Sequence, residues 1–297
     1  MLFVPANNWR LIQSAKRTAP DAVILDLEDA VPIGEKETAR WFVKDAIVLL
    51  KKAGHNIIVR VNGLATSLTE EDLKFAFQET VDAIMLPKSE SKEDILELEM
   101  LMQKEKKGKR IAKISIIPLI ESAKGILNAF EIVTASERVI AISFGAVDYM
   151  RDFGRSYFTL SSDESELLYA RSRLAVSART AGVLAIDTPF FGLIIDKEGL
   201  IRESKIALGL GLKGKLCIHP MHIESINQIF SPSEKDVDLA RKIANEYEAA
   251  KAKGLGATFF EGRMIDEATY KLAKETLVIS AMIAKRGVNE TNSGKIS

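Results

Sequence analysis

The sequence predicts an α/β protein: a (β/α)8 TIM barrel followed by a C-terminal helical extension. Three observations carry this. Short apolar, β-rich runs recur eight times between residues 2 and 220. The runs are continuous rather than alternating, the pattern of parallel strands covered by helices. Helical stretches separate them, and strand–helix alternation sustained over roughly 220–230 residues is the size and rhythm of a barrel. A doubly wound open sheet is the alternative, because alternation alone does not fix closure.

The runs, in order, are LFVP (2–5), AVILDLE (22–28), NIIVRVN (56–62), DAIMLPK (82–88), KISIIPLIE (113–121), RVIAISFG (138–145), GVLAIDTP (182–189) and GKLCIHP (214–220). Between them, residues 163–181 read as a helix with Leu167, Ala170, Leu174, Ala178 and Ala181 on one face. Acids occupy its first turn and Gly182 follows its end, both helix-boundary signals. Residues 90–107 and 199–212 read as helices of less regular pattern. After Pro220 the alternation stops. Ser233 with Asp236 forms a capping-box pattern opening a helix to about Gly254, and a second helix spans about Asp266 to Arg286, with no strand expected after either. The expected division is therefore a barrel over 1–225, a helical extension over 226–286 and a polar, disordered tail over 287–297.

Composition excludes several functions. Lys plus Arg and Asp plus Glu balance at 41 each. A neutral chain has neither the basic footprint of a nucleic-acid binder nor a polybasic signal for anionic membranes. Hydrophobic residues make up 47%, enough for a sizeable core, yet no run approaches the ~18 apolar residues of a membrane span. Cys217 is the only cysteine, so no intrachain disulfide forms, and the N-terminus has no signal-peptide pattern. A cytoplasmic protein is expected.

The stretch VILDLEDAV (23–31) sharpens the functional question, because three acids, Asp26, Glu28 and Asp29, close an apolar strand. Buried carboxylates are costly unless paired. The same signature recurs: Arg60 and Asn62, Lys88, Glu121, Asp148, Asp187 and His219 all sit at or just past the C-terminal ends of apolar runs. In a barrel those ends form one rim, where active sites are built. Capping of the following helix is the structural explanation for Glu121 or Asp148 taken singly; recurrence around one rim favours a polar mouth. Two acids on neighbouring strands, Glu121 and Asp148, suit a hard cation such as Mg²⁺, which takes one or two carboxylates and leaves other positions to water and substrate. Arg60 suits a carboxylate or oxyanion, and Lys88 is a nucleophile candidate.

Two motifs resolve into bland readings. GLGLKG (209–214) matches G-x-G-x-x-G but follows a helix and precedes a strand, the reverse of a dinucleotide site. Cys217, His219 and His222 have ligand-like spacing, but no second cluster completes a zinc site.

Taken together, "VILDLEDAVP", "VRVNG", "AIMLPKSES", "IIPLIESAKGI", "SFGAVDY", "IDTPFFG", "KLCIHPMHI" and "GATFFEGRMID" resemble the citrate lyase β-subunit and malyl-CoA lyase family of barrel aldolases. The resemblance runs over nearly the whole chain. It implies cleavage or formation of a carbon–carbon bond between a CoA thioester and a 2-keto acid. It implies that Glu121 and Asp148 hold Mg²⁺, with Mn²⁺ as substitute, and that Arg60 touches the reacting oxygen of the substrate. Glu28 and Asp29 are implied to hold metal-bound waters, and Arg60, Asp266 and Asp29 to be the catalytic set. The N–H groups of Gly145, Ala146 and Val147 are implied to receive the keto-acid carboxylate, and Arg10 and Lys16 to meet CoA phosphates. Asp266 matches an acid that reaches a neighbouring subunit's site, so a homotrimer or homohexamer is expected. One departure is visible: such chains often carry proline shortly after "MID", whereas Glu267 and Ala268 follow here. Three functions remain open at this level: a self-sufficient thioester lyase, a β subunit of a citrate lyase acting on a carrier-bound thioester, and a silent CoA-ester-binding barrel. The intact set of Arg60, Glu121, Asp148 and Asp266 argues against the last.

Overall fold

The computed structural model describes residues 1–78, 80–106 and 114–293. The chain begins β1 (Leu2–Pro5), α1 (Trp9–Ala15), β2 (Ala22–Asp26), α2 (Lys36–Lys52), β3 (Asn56–Arg60), α3 (Thr69–Ala76), β4 (Ala83–Leu86) and α4 (Lys92–Lys106). It continues β5 (Ser115–Ile120), α5 (Ala123–Leu127), α6 (Ala129–Thr134), β6 (Ala141–Phe144), α7 (Ala146–Asp152), α8 (Ser165–Ala181), β7 (Leu184–Asp187), α9 (Lys197–Gly209) and β8 (Gly214–Lys215). The eight strands pair in sequence order, all parallel. A parallel bridge between Leu2 and Cys217 closes the sheet, with Phe3 N–H donating to Cys217 O and Cys217 N–H to Met1 O, each at 2.8 Å. The barrel is the observed fold, and the open-sheet alternative falls.

Inward-facing residues of alternate register, among them Ile24, Ile58, Met85, Leu119, Ala141, Ile186 and Leu216, fill the barrel. Period-two alternation then carries the next inward positions, Asp26, Arg60, Glu121 and Thr188, to the mouth. The helices form where expected: α8 ends on Gly182 in the left-handed conformation (φ 73°), a backbone that glycine adopts without Cβ strain.

The chain folds as two compact units, Met1–Ile226 and Asn227–Ser297. The second unit contains α11 (Glu234–Ala252), β9 (Thr258–Phe260), β10 (Arg263–Ile265) and α12 (Glu267–Ser293), and α10 (Ile223–Phe230) spans the division. The capping box is present: Ser233 Oγ accepts from Asp236 N–H while the Asp236 carboxylate accepts from Ser233 N–H. Two expectations change. The segment after α11 is an antiparallel hairpin, not a strandless link. Its turn, Glu261 (φ 47°) and Gly262 (φ 76°), has positive φ at both central residues, the type I′ pattern whose twist matches paired strands. And α12 runs through Gly287 to Ser293, beyond the point where a tail was expected; residues 294–297 of that tail lie outside the described residues.

Asp187, at the end of β7, is not at the mouth. Arg171 holds it at 2.8 Å and 3.2 Å, and Lys215 Nζ at 2.7 Å. Glu203 joins Lys215 and Arg171, and Glu164 reaches Arg171 at 2.5 Å. Three carboxylates thus share two cations, Arg171 and Lys215, whose side chains are fully buried. The odd negative charge appears on Glu203, which burial, then neighbouring Asp187 and Glu164, push up to about 7 against the pull of Lys215 and Arg171. Because the folded value lies above the ordinary 4.5, the folded state binds the extra proton, and stability falls as pH rises from about 4.5 to about 7. Urea midpoints across that window should decline in the native protein, and Glu203→Gln should flatten the decline. Lys215→Met leaves two buried acids under-paired and is expected to cost about 3–5 kcal/mol; an unchanged midpoint would show the network to be dispensable.

Candidate active site

At the mouth lies a pocket of about 470 Å³ lined by Phe3, Asp26, Asp29, Arg60, Glu121 and Asp148 together with Gly145 to Val147 and Thr188. Asp26 explains how the acidic strand end is tolerated. It stands in register with Arg60 on the adjacent strand. Its two oxygens accept from Arg60 Nε at 2.7 Å and Nη2 at 2.6 Å, a bidentate pair. Asp26 Oδ1 also accepts the Glu28 N–H at 2.9 Å, which turns the chain out of the strand. Arg60 Nη1 lies 2.9 Å from Glu28 Oε2, and the guanidinium lies over the Phe3 ring at 4.8 Å. Burial opposes the Arg60 charge, but Asp26, then Glu28 and Glu121, more than offset it, so the guanidinium is held protonated even more firmly than usual.

A polar layer behind the acidic loop holds it still. Lys36 Nζ donates to Leu27 O (2.6 Å), Glu28 O (2.7 Å) and Asn62 Oδ1 (2.8 Å). Asn62 in turn donates to Asp72, which Arg40 holds at 2.7 Å. Asn62, expected at the rim, is thus structural, as is His219, whose Nδ1 accepts the Met221 N–H.

Glu121 is buried at the end of β5, and its Oε2 accepts the Lys88 N–H at 2.9 Å. It lies against Gly145, where a Cβ would come within 2.6 Å of Glu121 Cγ and 2.7 Å of Oε1. Glycine at 145 is therefore what gives the carboxylate its place. Burial, then the Glu28 charge, push Glu121 up to about 8, against Arg60 and the Lys88 N–H, with Asp148 adding to the rise. Asp148, in the first turn of α7, pairs with Arg151 at 2.8 Å. Lys88 Nζ pairs with Glu28 and lies 3.5 Å from Asp29. Glu28 itself is raised, by burial first, in spite of Arg60 and Lys88.

The donor set suits a divalent cation. Asp26, Glu28, Asp29, Glu121 and Asp148 gather at the mouth with Arg60, Lys88 and Arg151 as ion-pair partners, and the rise of Glu121 and Glu28 shows that a further positive charge there would be favourable. Among the described residues no cluster of three or more His, Cys, Asp or Glu side chains encloses a metal. The two carboxylates that line the pocket at neighbouring strand ends, Glu121 and Asp148, are hard oxygen donors of the kind Mg²⁺ takes alongside water and substrate. Gly145→Ala is expected to displace Glu121 and weaken Mn²⁺ binding about tenfold or more. Titration with Mn²⁺ checks this, and an unaltered affinity would show that Glu121 finds its place without the glycine.

The other expected residues fall as follows. Gly145 N–H donates to Ile120 O at 2.9 Å, so it is spent in the sheet and does not serve as a carboxylate donor. Ala146 N–H donates to Thr188 Oγ1 at 3.1 Å. The Val147 N–H has no acceptor among the described residues. Arg10 is exposed in the first turn of α1, whereas Lys16 caps its other end, where its carbonyl faces His55 Nε2 at the start of β3. Asp266 belongs to the second unit. There it accepts from Thr269 N–H and Oγ1, both at 2.9 Å, contacts that lower its carboxyl. Sequence reasoning passed over Asp26 and Thr188 as site residues.

A parallel barrel with an Arg–carboxylate mouth at its C-terminal rim defines the class: a TIM-barrel protein with a site for an anionic substrate and a hard cation. Residues 1–220 match the HpcH/HpaI aldolase/citrate lyase family model, and the chain belongs to that family. It is 36% identical over 282 residues to a citrate lyase subunit beta of Leuconostoc mesenteroides subsp. cremoris, covering 94% of this chain and 92% of that protein. It is 33% identical over 301 residues to an L-malyl-CoA/beta-methylmalyl-CoA lyase of Cereibacter sphaeroides, covering 95% and 94%. Among solved structures it resembles the protein CitE of Mycobacterium tuberculosis in complex with magnesium, acetoacetate and coenzyme A. That match has a TM-score of 0.76 and 29% identity, and covers 94% of this chain and 97% of the other.

Proposed function

We propose that this protein is a Mg²⁺-dependent carbon–carbon lyase that cleaves, or forms, a β-hydroxyacyl-CoA thioester such as malyl-, citramalyl- or citryl-CoA. The observation that carries the reading is the pocket itself. Glu121, Asp148 and Arg60 converge on it, with Glu121 held up for want of a nearby cation, and relatives of both lyase types align over nearly the full chain.

Glu121 and Asp148 would hold Mg²⁺, with Mn²⁺ as substitute, and Glu28 and Asp29 would orient its waters. The cation, when bound, polarises the hydroxyl and carboxylate oxygens of the substrate. Arg60 supplies positive charge where the hydroxyl oxygen loses its proton and becomes the keto oxygen. Its remaining N–H groups do this without losing Asp26, which keeps the guanidinium fixed. Asp29, the most exposed of the mouth acids, receives the hydroxyl proton. Carbon–carbon cleavage then yields a keto acid and a thioester enolate, whose carbon takes a proton from a positioned acid, a role assigned to Asp266 on condition that the completed site raises the carboxyl that Thr269 lowers in the single chain. The keto-acid carboxylate sits by the Val147 N–H. Arg10 is placed to meet CoA phosphate, and Lys16 is the weaker candidate.

The second reading, a β subunit of a multi-subunit citrate lyase acting on a carrier-bound citryl thioester, is favoured by the 36% identity to such a subunit. Assay of the purified chain alone with malyl-, citramalyl- and citryl-CoA and Mg²⁺ separates the two. Keto-acid release from any of these supports the self-sufficient lyase. Activity appearing only on addition of an acyl-carrier partner supports the subunit.

The assembly reading is a homotrimer or homohexamer in the cytoplasm in which Asp266 completes a neighbour's site. In its support, the hairpin before Asp266 exposes Phe259 at 71% and Met264 at 62%, and exposed apolar clusters mark interfaces. Among the described residues no helix is long and apolar enough to cross a membrane. Asp266→Ala and Glu121→Ala, each inactive alone, are expected to regain part of the activity when their subunits are exchanged. No recovery after demonstrated exchange would assign Asp266 to its own chain.

A further inference from the structure

Lys88 has a backbone and a side chain that both point to one role. It is one of three non-glycine residues with positive φ among the described residues, at φ 53°. Pro87 precedes it in a turn, and a turn position with positive φ ordinarily takes Gly or Asn. The turn is pinned from behind. Ser89 is fully buried, its Oγ donates to Leu86 O at 3.0 Å, and its N–H donates to Leu119 O at 3.1 Å. Gly125 packs so closely that a Cβ there would lie 2.6 Å from Ser89 O. A lysine holding a conformation suited to glycine is unusual, and such outliers gather at functional sites.

Two contacts show what the strain sustains. The Lys88 N–H donates to Glu121 Oε2 at 2.9 Å. The ammonium pairs with Glu28 Oε1, while Glu28 Oε2 lies 2.9 Å from Arg60 Nη1. Glu28 is thus shared between two cations. Asp26 already takes Arg60 Nε and one Nη2 N–H. Were Glu28 also given wholly to Arg60, few guanidinium N–H groups would remain for a substrate oxygen.

We propose that Lys88 is a positioning residue that fixes Glu121 through its left-handed main chain and, through its ammonium, draws Glu28 partly off Arg60, keeping guanidinium N–H groups free for the substrate. The inference rests on the site reading above, in which Arg60 receives the keto acid beside a cation.

The test uses Lys88→Gly, because glycine accepts φ 53° and keeps the N–H, so only the ammonium is lost. Calorimetry with Mn²⁺ and then pyruvate reads the two binding events separately. The expected result for Lys88→Gly is Mn²⁺ affinity within about threefold of the native protein and pyruvate affinity about tenfold weaker. Lys88→Arg should restore most of the loss. Glu28→Gln should weaken pyruvate binding less than Lys88→Gly does, and the pair Lys88→Gly with Glu28→Gln should bind pyruvate better than Lys88→Gly alone. Native pyruvate affinity in Lys88→Gly, or effects of the two substitutions that simply multiply, would overturn the inference. Absence of Mn²⁺-dependent pyruvate binding in the native protein would instead remove the site reading, and this inference with it.

Discussion

Glu121→Ala is expected to abolish metal-dependent turnover, a fall of roughly a thousandfold or more, equivalent to the several kcal/mol that a bound Lewis acid supplies. Glu121 is the buried member of the proposed pair. It is placed by Gly145 on one side and by the Lys88 N–H on the other, so no flexible surface acid can take its position. Asp148→Ala should act in the same direction, and there the Arg151 partner is left on an exposed surface at little cost. The fold should not suffer with the activity. Burial and the neighbouring acids already push Glu121 up to about 8, so its ionised form is unfavourable without a cation, and Glu121→Gln should leave the metal-free melting temperature unchanged or higher. Loss of both activity and stability would mark Glu121 as structural. Full activity after EDTA treatment in the Glu121 and Asp148 variants would dispose of the metal assignment.

Arg60→Lys is the second large effect, a loss of about a hundredfold to a thousandfold in kcat/KM. The guanidinium binds Asp26 through two parallel N–H groups and meets Glu28 with a third nitrogen while facing the pocket. An ammonium is a point charge and cannot satisfy Asp26 bidentately and reach a substrate oxygen together. The fold is expected to survive this change. The geometry adds a cost: one of the Asp26 oxygens is left under-paired in a buried site, worth about 1–3 kcal/mol. A folded but less stable protein with little activity is the expected outcome, read by denaturant melts alongside steady-state kinetics. Near-native kcat/KM would leave Arg60 with only a structural role.

Much of this was legible from the chain. Eight apolar runs gave eight parallel strands, because strands buried on both faces need continuous apolar sequence. The rim acids were visible because charge at the end of such a run has no other ready explanation. Asp26 was visible as a charge but not as the clamp on Arg60. That role depends on strand register, Asp26 beside Arg60, which a single sequence does not print. Asp187 and His219 share the strand-end signature yet serve structure, since nothing local distinguishes a carboxylate facing Arg171 and Lys215 from one facing a mouth. The hairpin at 258–265 escaped notice for a physical reason. Its strands are three residues each, and its turn is Glu-Gly, not the Asn-Gly or Asp-Gly that signals type I′. The left-handed Lys88 and the Thr188 contact to Ala146 arise from tertiary packing alone.

The most direct test of the central claim is a crystal structure of the protein grown with Mn²⁺ and pyruvate, examined for anomalous scattering. The account predicts one strong peak within coordination distance of Glu121 and Asp148, with the pyruvate oxygens on the Arg60 side of it. A peak at other ligands, or a pocket that binds pyruvate with no metal between Glu121 and Asp148, would contradict it.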